Sequence, residues 1–335
     1  MTKLKLIPVL LGLLAAVPAI NAAPQYDFII CANVNKGYVI GSKIVTTNGL
    51  FRLDDNGVWR HFGYNDSTIT GAAFDPRDPS VYYTSALNGL WAPLEGSATG
   101  RMANSWDMTE GRDVAVDPNS PDDVYVAITD GVAFTNDRGQ TIERRDHGLP
   151  ARGKFTETIE VDRSTAGRVF AGCTAGVYLT DDAGMNWRQV LSTKAQVNDI
   201  QQSPHDPAEW IALTDEEGAW ISRDRGLTWS LIKDLPVGRA FYNVAFDQTN
   251  PQRIAIGSWT YGVQVSEDGG QTWVTRNEGL PENPRAWRVG INPNTGRLYA
   301  SIYQENLYYS DDFGRTWQAD AMEGSLVNRF ITVAR

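Results

Sequence analysis

Five eight-residue segments recur at nearly constant spacing, and this repeat restricts the folds open to the chain more than any other feature. The segments are Thr135–Ile142, Thr180–Trp187, Ser222–Trp229, Ser266–Trp273 and Ser310–Trp317. They share the pattern Ser/Thr-x-Asp-x-Gly-x-Thr-Trp, with Asn186 in place of Thr and Ile142 in place of Trp. Their third-position aspartates, Asp137, Asp182, Asp224, Asp268 and Asp312, lie 45, 42, 44 and 44 residues apart. A period near 44 residues is the length of one four-stranded sheet in a radial array, so the repeat predicts a β-propeller. The local chemistry is that of a tight turn. Asp accepts hydrogen bonds from the backbone of its own turn, Gly takes a conformation other residues avoid, and Trp buries a large ring between sheets.

The rest of each period repeats as well. One strand ends at a turn led by Asp75-Pro76, Asp117-Pro118, Asp162, Ser203-Pro204, Asp247 or Asn292-Pro293. A second strand follows, over Val81–Thr84, Val124–Ile128, Val169–Gly172, Trp210–Leu213, Ile254–Gly257 and Leu298–Ile302. Upstream, Leu53–Trp59 reads as a degenerate copy of the eight-residue segment. The 82 residues from Gly57 to Gly139 leave room for two periods, so Trp91–Trp106 holds the turn of a sheet that has lost its copy. Seven inner strands, the last over Arg329–Ala334, and seven outer sets, the first over Lys43–Phe62, give an all-β, seven-bladed propeller. An eighth blade needs about 40 further residues. The simplest closure joins the C-terminal inner strand to N-terminal outer strands in one blade, which leaves no open sheet edge. Residues 26–33 are also strand-like and offer an alternative inner strand.

The eight-residue segment resembles the Asp-box of sialidases and other bacterial-neuraminidase-repeat propellers. Over about residues 43–335 the longer pattern is similar to the propellers of xyloglucan-degrading endoglucanases. Sortilin-type ectodomains and photosystem II assembly factors are similar single propellers, and they grip a peptide or protein. The resemblance implies that the box joins the third and fourth strands on the face away from the ligand, so the five box aspartates are structural. It also implies, for the endoglucanases, catalytic carboxylates facing each other across a cleft between two propellers, where this chain supplies one. Sialidase chemistry would cast Arg112, Arg288, Arg329, Tyr242, Glu157 and Asp113 as its machinery. Sialidases have six blades, however, and their Arg-Ile-Pro motif is absent here.

Residues 1–23 read as a signal peptide, with Lys3 and Lys5 before an apolar run from Leu4 to Ala19 and small residues at Ala22 and Ala23. This predicts an exported protein, secreted, periplasmic or extracellular, whose single propeller spans 24–335 and which inserts in no membrane after cleavage. Cys31 and Cys173 either pair in that compartment or remain two buried thiols. Two cysteines and three histidines at unrelated positions (His61, His147, His205) give no support for a metal, and no cofactor is expected. The formal net charge of −10, without a basic cluster, argues against nucleic acid and anionic membranes as partners. A glycan or an extracellular protein or peptide remains, bound by a monomer.

Chain direction puts the Pro-containing turns and the boxes on one face. The other face, around the central channel, is the usual propeller binding site. Aligning the inner strands places two residues per blade at the channel mouth: Thr70 and Gly71, Arg112 and Asp113, Glu157 and Thr158, Asn198 and Asp199, Tyr242 and Asn243, Trp287 and Arg288, Asn328 and Arg329. Neighbouring loops add Trp259, Tyr303, Trp106, His147 and Arg285. Rings beside carboxylates and arginines suit sugar recognition, so Arg112, Tyr242, Trp259, Trp287, Arg288, Tyr303 and Arg329 are the candidate ligand-binding residues. Two function classes follow. One is a binding module. The other is a glycan-active enzyme, a glycoside hydrolase before a lyase, with Asp113, Glu157 and Asp199 as candidate acids and His147 or Tyr242 as a lyase base.

Overall fold

Turn residues interrupt the chain every five or six positions, and the apolar runs between them pair into seven four-stranded antiparallel sheets. The computed structural model describes residues 25–34, 47–94 and 100–335. The signal peptide read over residues 1–23 lies outside the described residues. Six blades run in sequence, from inner to outer strand, over residues 69–102, 111–144, 156–192, 197–231, 241–275 and 286–319. Their second strands sit where the repeat puts them, for example Val124–Ile128 and Leu298–Ile302.

The seventh blade closes the ring from both ends of the chain. Its order from the inside is Leu326–Ala334, Tyr26–Asn33, Gly49–Leu53 and Trp59–Phe62. The C-terminal strand is therefore the inner one. Residues 26–33 do not supply it; they form the second strand, paired from Tyr26↔Ala334 to Asn33↔Leu326. The run Phe28–Ala32 is fully buried between two partners, which suits a second strand and not one that faces the channel. The outer set begins at Tyr26 and not at Lys43, and residues 43–46 lie outside the described residues. Cys31 and Cys173 sit buried in the second strands of two different blades, each a free thiol.

Each box is a self-contained turn. Asp268 Oδ1 accepts from Ser266 Oγ (2.8 Å) and from the N–H groups of Gln271 and Thr272 (3.0 and 2.9 Å), and Oδ2 accepts from Thr272 Oγ1 (2.6 Å). Asn186 replaces Thr without loss, since its N–H and Nδ2 both reach Asp182 (2.8 Å each). The degenerate copy keeps the scheme, with Asp54 Oδ1 accepting from Val58 N–H (2.9 Å). Gly226 shows why the fifth position is Gly: φ is +76°, and a Cβ there would stand 2.4 Å from the Phe170 ring.

The last residue of each box fills the gap to the preceding blade. Trp187 and Trp317 donate Nε1–H to the carbonyls of Arg145 and Arg276 (2.8 and 2.9 Å), and Trp59 donates to Asp320 (3.2 Å). Trp273 and Trp229 pack into the cores of the fourth and third blades. Ile142 does the same with the first blade's Tyr83, Leu90 and Ala92.

Two stability predictions follow from these turns and wedges. Trp317→Ala removes a ring only 5% exposed and is expected to cost about 3–5 kcal/mol in urea unfolding. The Asp268 carboxyl is held at about 2, below its ordinary 3.8, by the Thr272 hydroxyl, the Thr272 N–H and the Ser266 hydroxyl. A depressed carboxyl contributes stability that is complete above about pH 4 and lost as pH falls toward 2. Thermal midpoints should therefore drop over that interval, and Asp268→Asn should shallow the drop.

Candidate functional site

The seven inner strands share one irregularity, and it builds the channel mouth. In each, pairing to the second strand slips by one residue, at Ile69/Gly71, Gly111/Asp113, Thr156/Thr158, Val197/Asp199, Phe241/Asn243 and Ala286/Arg288. In the closing blade Asn328 is skipped between Val327 and Arg329. A bulge leaves its extra residue unpaired and re-aims the side chains beside it. The residue pairs read from sequence fall on these seven bulges.

Freed from the ladder, the bulge residues bond sideways to the next blade. Thr70 Oγ1 donates to Gly111 O (2.9 Å), Asn198 Nδ2 to Phe241 O (2.9 Å) and Asn328 Nδ2 to Ile69 O (2.7 Å). Asp113 Oδ2 accepts from Ile159 N–H (3.2 Å) and Asp199 Oδ2 from Val244 N–H (2.9 Å). Asn243 exchanges two 2.8 Å bonds with Val289, and Arg288 Nε donates to Asn328 O (2.9 Å). Between the third and fourth blades the link lies lower, from Arg163 N–H to Gln202 Oε1 (2.9 Å).

Arg329 ties the ring across its middle. One Nη pairs with Asp113 and the other with Asp199 (3.2 Å), so a single guanidinium from the closing blade balances two buried carboxylates from the second and fourth blades. Asp113 and Asp199 thus have their oxygens engaged by backbone N–H groups and Arg329. Burial pushes the Asp113 carboxyl up, and the Arg329 charge opposes it. Below the bulges lies a channel cavity of ≈ 290 Å³, its wall more polar than apolar, with Arg163, Gln201 and Gln248 beside Ile159, Val244 and Val289. Glu160 faces it, two residues beyond Thr158 on the same side of the strand. Burial raises its carboxyl to about 7.

The third candidate acid, Glu157, sits higher. Arg112 grips it with Nε–Oε2 2.8 Å and Nη2–Oε1 3.0 Å. Burial raises the Glu157 carboxyl, with Arg112 and Arg288 opposing. Beside it a ring cluster spans the fifth and sixth blades. Tyr242 lies 4.5 Å from Trp287 and 5.7 Å from Trp259, and Trp259 lies 4.9 Å from Tyr303 between centroids. Arg285 covers Trp259 at 5.3 Å and Arg288 covers Trp287 at 4.4 Å. All four rings are half-buried. Asp215 adds a carboxylate there, bonded to Asn198 Nδ2 (2.8 Å).

Two loop residues stand elsewhere. Trp106 is 91% exposed. His147 lies against Asn186 of the third blade's box (3.0 Å). Sequence reasoning missed Asp215 and Glu160. Asp215 follows the second strand directly, and Glu160 is the acid at a position where the other inner strands carry Ala73, Ala115, Gln201, Ala245, Gly290 and Ile331.

Residues 308–319 match the BNR/Asp-box repeat family. An oligoxyloglucan-reducing end-specific xyloglucanase of Emericella nidulans is 27% identical over 158 residues, covering 43% of this chain and 19% of that protein. A xyloglucanase of Hypocrea jecorina is 22% identical over 302 residues, covering 83% and 29%. The chain spans less than a third of the length of these curated relatives. Among solved structures, the Niastella koreensis GH74 enzyme superposes with TM-score 0.66 at 16% identity, covering 80% of this chain and 50% of that one. YCF48 bound to D1 peptide superposes with TM-score 0.55 at 18% identity, covering 76% and 82%. These likenesses are of fold.

Two outcomes test the charge network. Arg329→Met leaves Asp113 and Asp199 buried without their counter-charge and should cost about 3–5 kcal/mol in urea unfolding. Glu160, raised to about 7 from 4.5, contributes stability that is complete below about pH 4.5 and lost as pH rises through 7. Glu160→Gln should flatten stability between those limits, which urea titrations at successive pH values would show.

Proposed function

By its repeats and its fold this chain is an Asp-box β-propeller of seven blades, and we propose that it is an exported glycan-binding module whose ligand lies across the channel mouth. The observation that carries this reading is the half-buried cluster of Tyr242, Trp259, Trp287 and Tyr303, flanked by Arg285 and the Arg112–Glu157 pair. Aromatic faces take the C–H faces of sugar rings, and the fork of Arg112 and the carboxylates of Glu157 and Asp215 offer donors and acceptors for hydroxyls. Kinship with xyloglucanases supports a plant-type glucan as the first ligand to try. Asp113 and Asp199 serve the ring instead of the ligand, because their oxygens already hold backbone N–H groups and Arg329.

A second reading, a glycoside hydrolase, is favoured by Glu157, whose raised carboxyl beside the rings suits a general acid. Hydrolysis needs a second carboxyl about 5–9.5 Å from the first, and Asp215, which bonds Asn198 at the mouth, is the candidate. Reducing-end and unsaturated-product assays on a polysaccharide panel that includes xyloglucan, run beside retention on affinity gels of the same glycans, separate the readings. Retention without product is the expected result, and Trp259→Ala or Trp287→Ala should weaken retention at least about tenfold, ~1.4 kcal/mol. Turnover that Glu157→Gln abolishes would replace the module with the enzyme. Unchanged affinity in folded Trp259→Ala and Trp287→Ala proteins would remove the aromatic platform from either reading.

A further inference from the structure

The channel is divided in two. Arg329, reaching Asp113 and Asp199, crosses it at the level of the bulges, and these residues with Arg288 roof the ≈ 290 Å³ cavity below. That cavity opens away from the mouth, toward the turn face, since Arg163 and Gln248 on its wall directly follow Asp162 and Asp247 of the turns. Small residues keep it wide. At the strand position of Glu160 three other blades carry Ala73, Ala115 and Ala245, so Glu160 and its neighbour Gln201 project into open space.

Two opposite charges on this wall do not meet. Among the described residues Glu160 makes no hydrogen bond and no ion pair, although its side chain is accessible from the cavity. Arg163 stands three residues on, its Nη2 donating to Gln202 O and no carboxylate paired with it. The other charged groups facing the cavity are already engaged. Asp113 and Asp199 hold Arg329 and backbone N–H groups, and Arg288 donates to the carbonyls of Tyr242, Trp287 and Asn328. Burial raises the Glu160 carboxyl, Arg163 and Arg329 oppose the rise, and Asp113 and Asp199 add to it. The acids Asp113, Asp199 and Glu160 thus face the bases Arg163, Arg288 and Arg329, and the cavity is balanced once Glu160 ionises. A ligand with a net charge would upset that balance, whereas one with a cation and an anion on a short frame would keep it.

We propose that this chamber binds a free α-amino acid as its zwitterion, the ammonium on Glu160 and the carboxylate on Arg163. Gln201 donates Nε2–H to Asp199 (3.0 Å), which leaves its carbonyl for a further ammonium proton. Gln248 lines the cavity beside it, and the half-buried Phe246 ring supplies an apolar wall for the side chain. Hydrogen bonds between ionised groups are about twice as strong as neutral ones. A sugar residue would meet Glu160 and Arg163 with neutral hydroxyls and leave both charges without a partner. The chamber lies on the far side of the Arg329 tie from the ring cluster, so it is a second site, independent of the glycan reading.

The test offers the whole protein each of the common L-amino acids at millimolar concentration, read by saturation-transfer NMR, and then titrates the tightest binder by calorimetry. Its N-acetyl form, which has no ammonium, and its amide, which has no carboxylate, should each bind at least about tenfold more weakly. Glu160→Gln and Arg163→Gln should weaken the amino acid by at least about the same factor. Glu160 must be ionised to take the ammonium, and its carboxyl stands at about 7. Affinity in wild type should therefore rise at least about tenfold from about pH 5.5 to about pH 7.5, and Glu160→Gln should abolish that rise. The derivative and pH arms use wild type and decide the matter even if a variant fails to fold. No binding of any amino acid would overturn the proposal. So would equal affinity for the N-acetyl or amide form, unchanged affinity in folded Glu160→Gln or Arg163→Gln, or a wild-type affinity independent of pH. Displacement by a xyloglucan oligosaccharide would move the ligand to the mouth, and tighter binding of glucose, lost in Glu160→Gln, would make the chamber a sugar site instead; either result overturns it.

Discussion

The pairing of Leu326–Ala334 with Tyr26–Asn33 is the interaction on which the ring depends. Six blades are covalently continuous within themselves, while the seventh exists only if the two ends of the chain find each other. The same C-terminal strand carries Arg329, so the residue that balances Asp113 and Asp199 arrives with the strand that closes the ring. Until that strand docks, two carboxylates destined for burial lack their counter-charge. Closure and channel electrostatics are thus one event, which gives the ring a cooperative last step. A charge pair of this kind is costly to desolvate and favours a single register over a slipped one.

The bulges explain how one stretch of strand can bond the next blade and still open onto the channel mouth. An unbroken ladder would send alternate side chains to the channel and the blade interior, and would leave no side chain free to cross to the next blade. Slipping once per strand turns adjacent residues to one side. In the second blade the outcome is a division of labour within one dipeptide: Asp113 holds its neighbour's backbone, and Arg112 stands above it and grips Glu157. At the mouth, therefore, polarity alone does not mark a binding residue. Asp113, Asp199 and Asn243 bond the backbone of the next blade, whereas Glu157 bonds the Arg112 side chain.

Much of this architecture is legible in the sequence because each box states its own geometry, and five copies set the blade length. The loss of the box from the first blade is legible too, from the 82-residue interval between Gly57 and Gly139. The role of residues 26–33 is not. An inner and a second strand have similar composition, and only the pairing on both edges separates them. The candidate site is legible as positions and less so as roles. Asp113 and Asp199 look like free acids until the Ile159 and Val244 N–H groups and Arg329 are placed, all of which are distant in sequence. Glu160 escaped notice because a channel-facing acid differs from a solvent-facing one only in what surrounds it.

The way the ring closes also fixes where Gln25 and Arg335 lie. Gln25 O accepts from Arg335 N–H (2.8 Å), and Tyr26 exchanges two hydrogen bonds with Asn294 in the sixth blade's turn. Gln25 and Arg335 therefore lie side by side on the face of the Pro-containing turns, opposite the mouth. A support joined beside Gln25 or Arg335 would therefore lie against that face and leave the mouth uncovered.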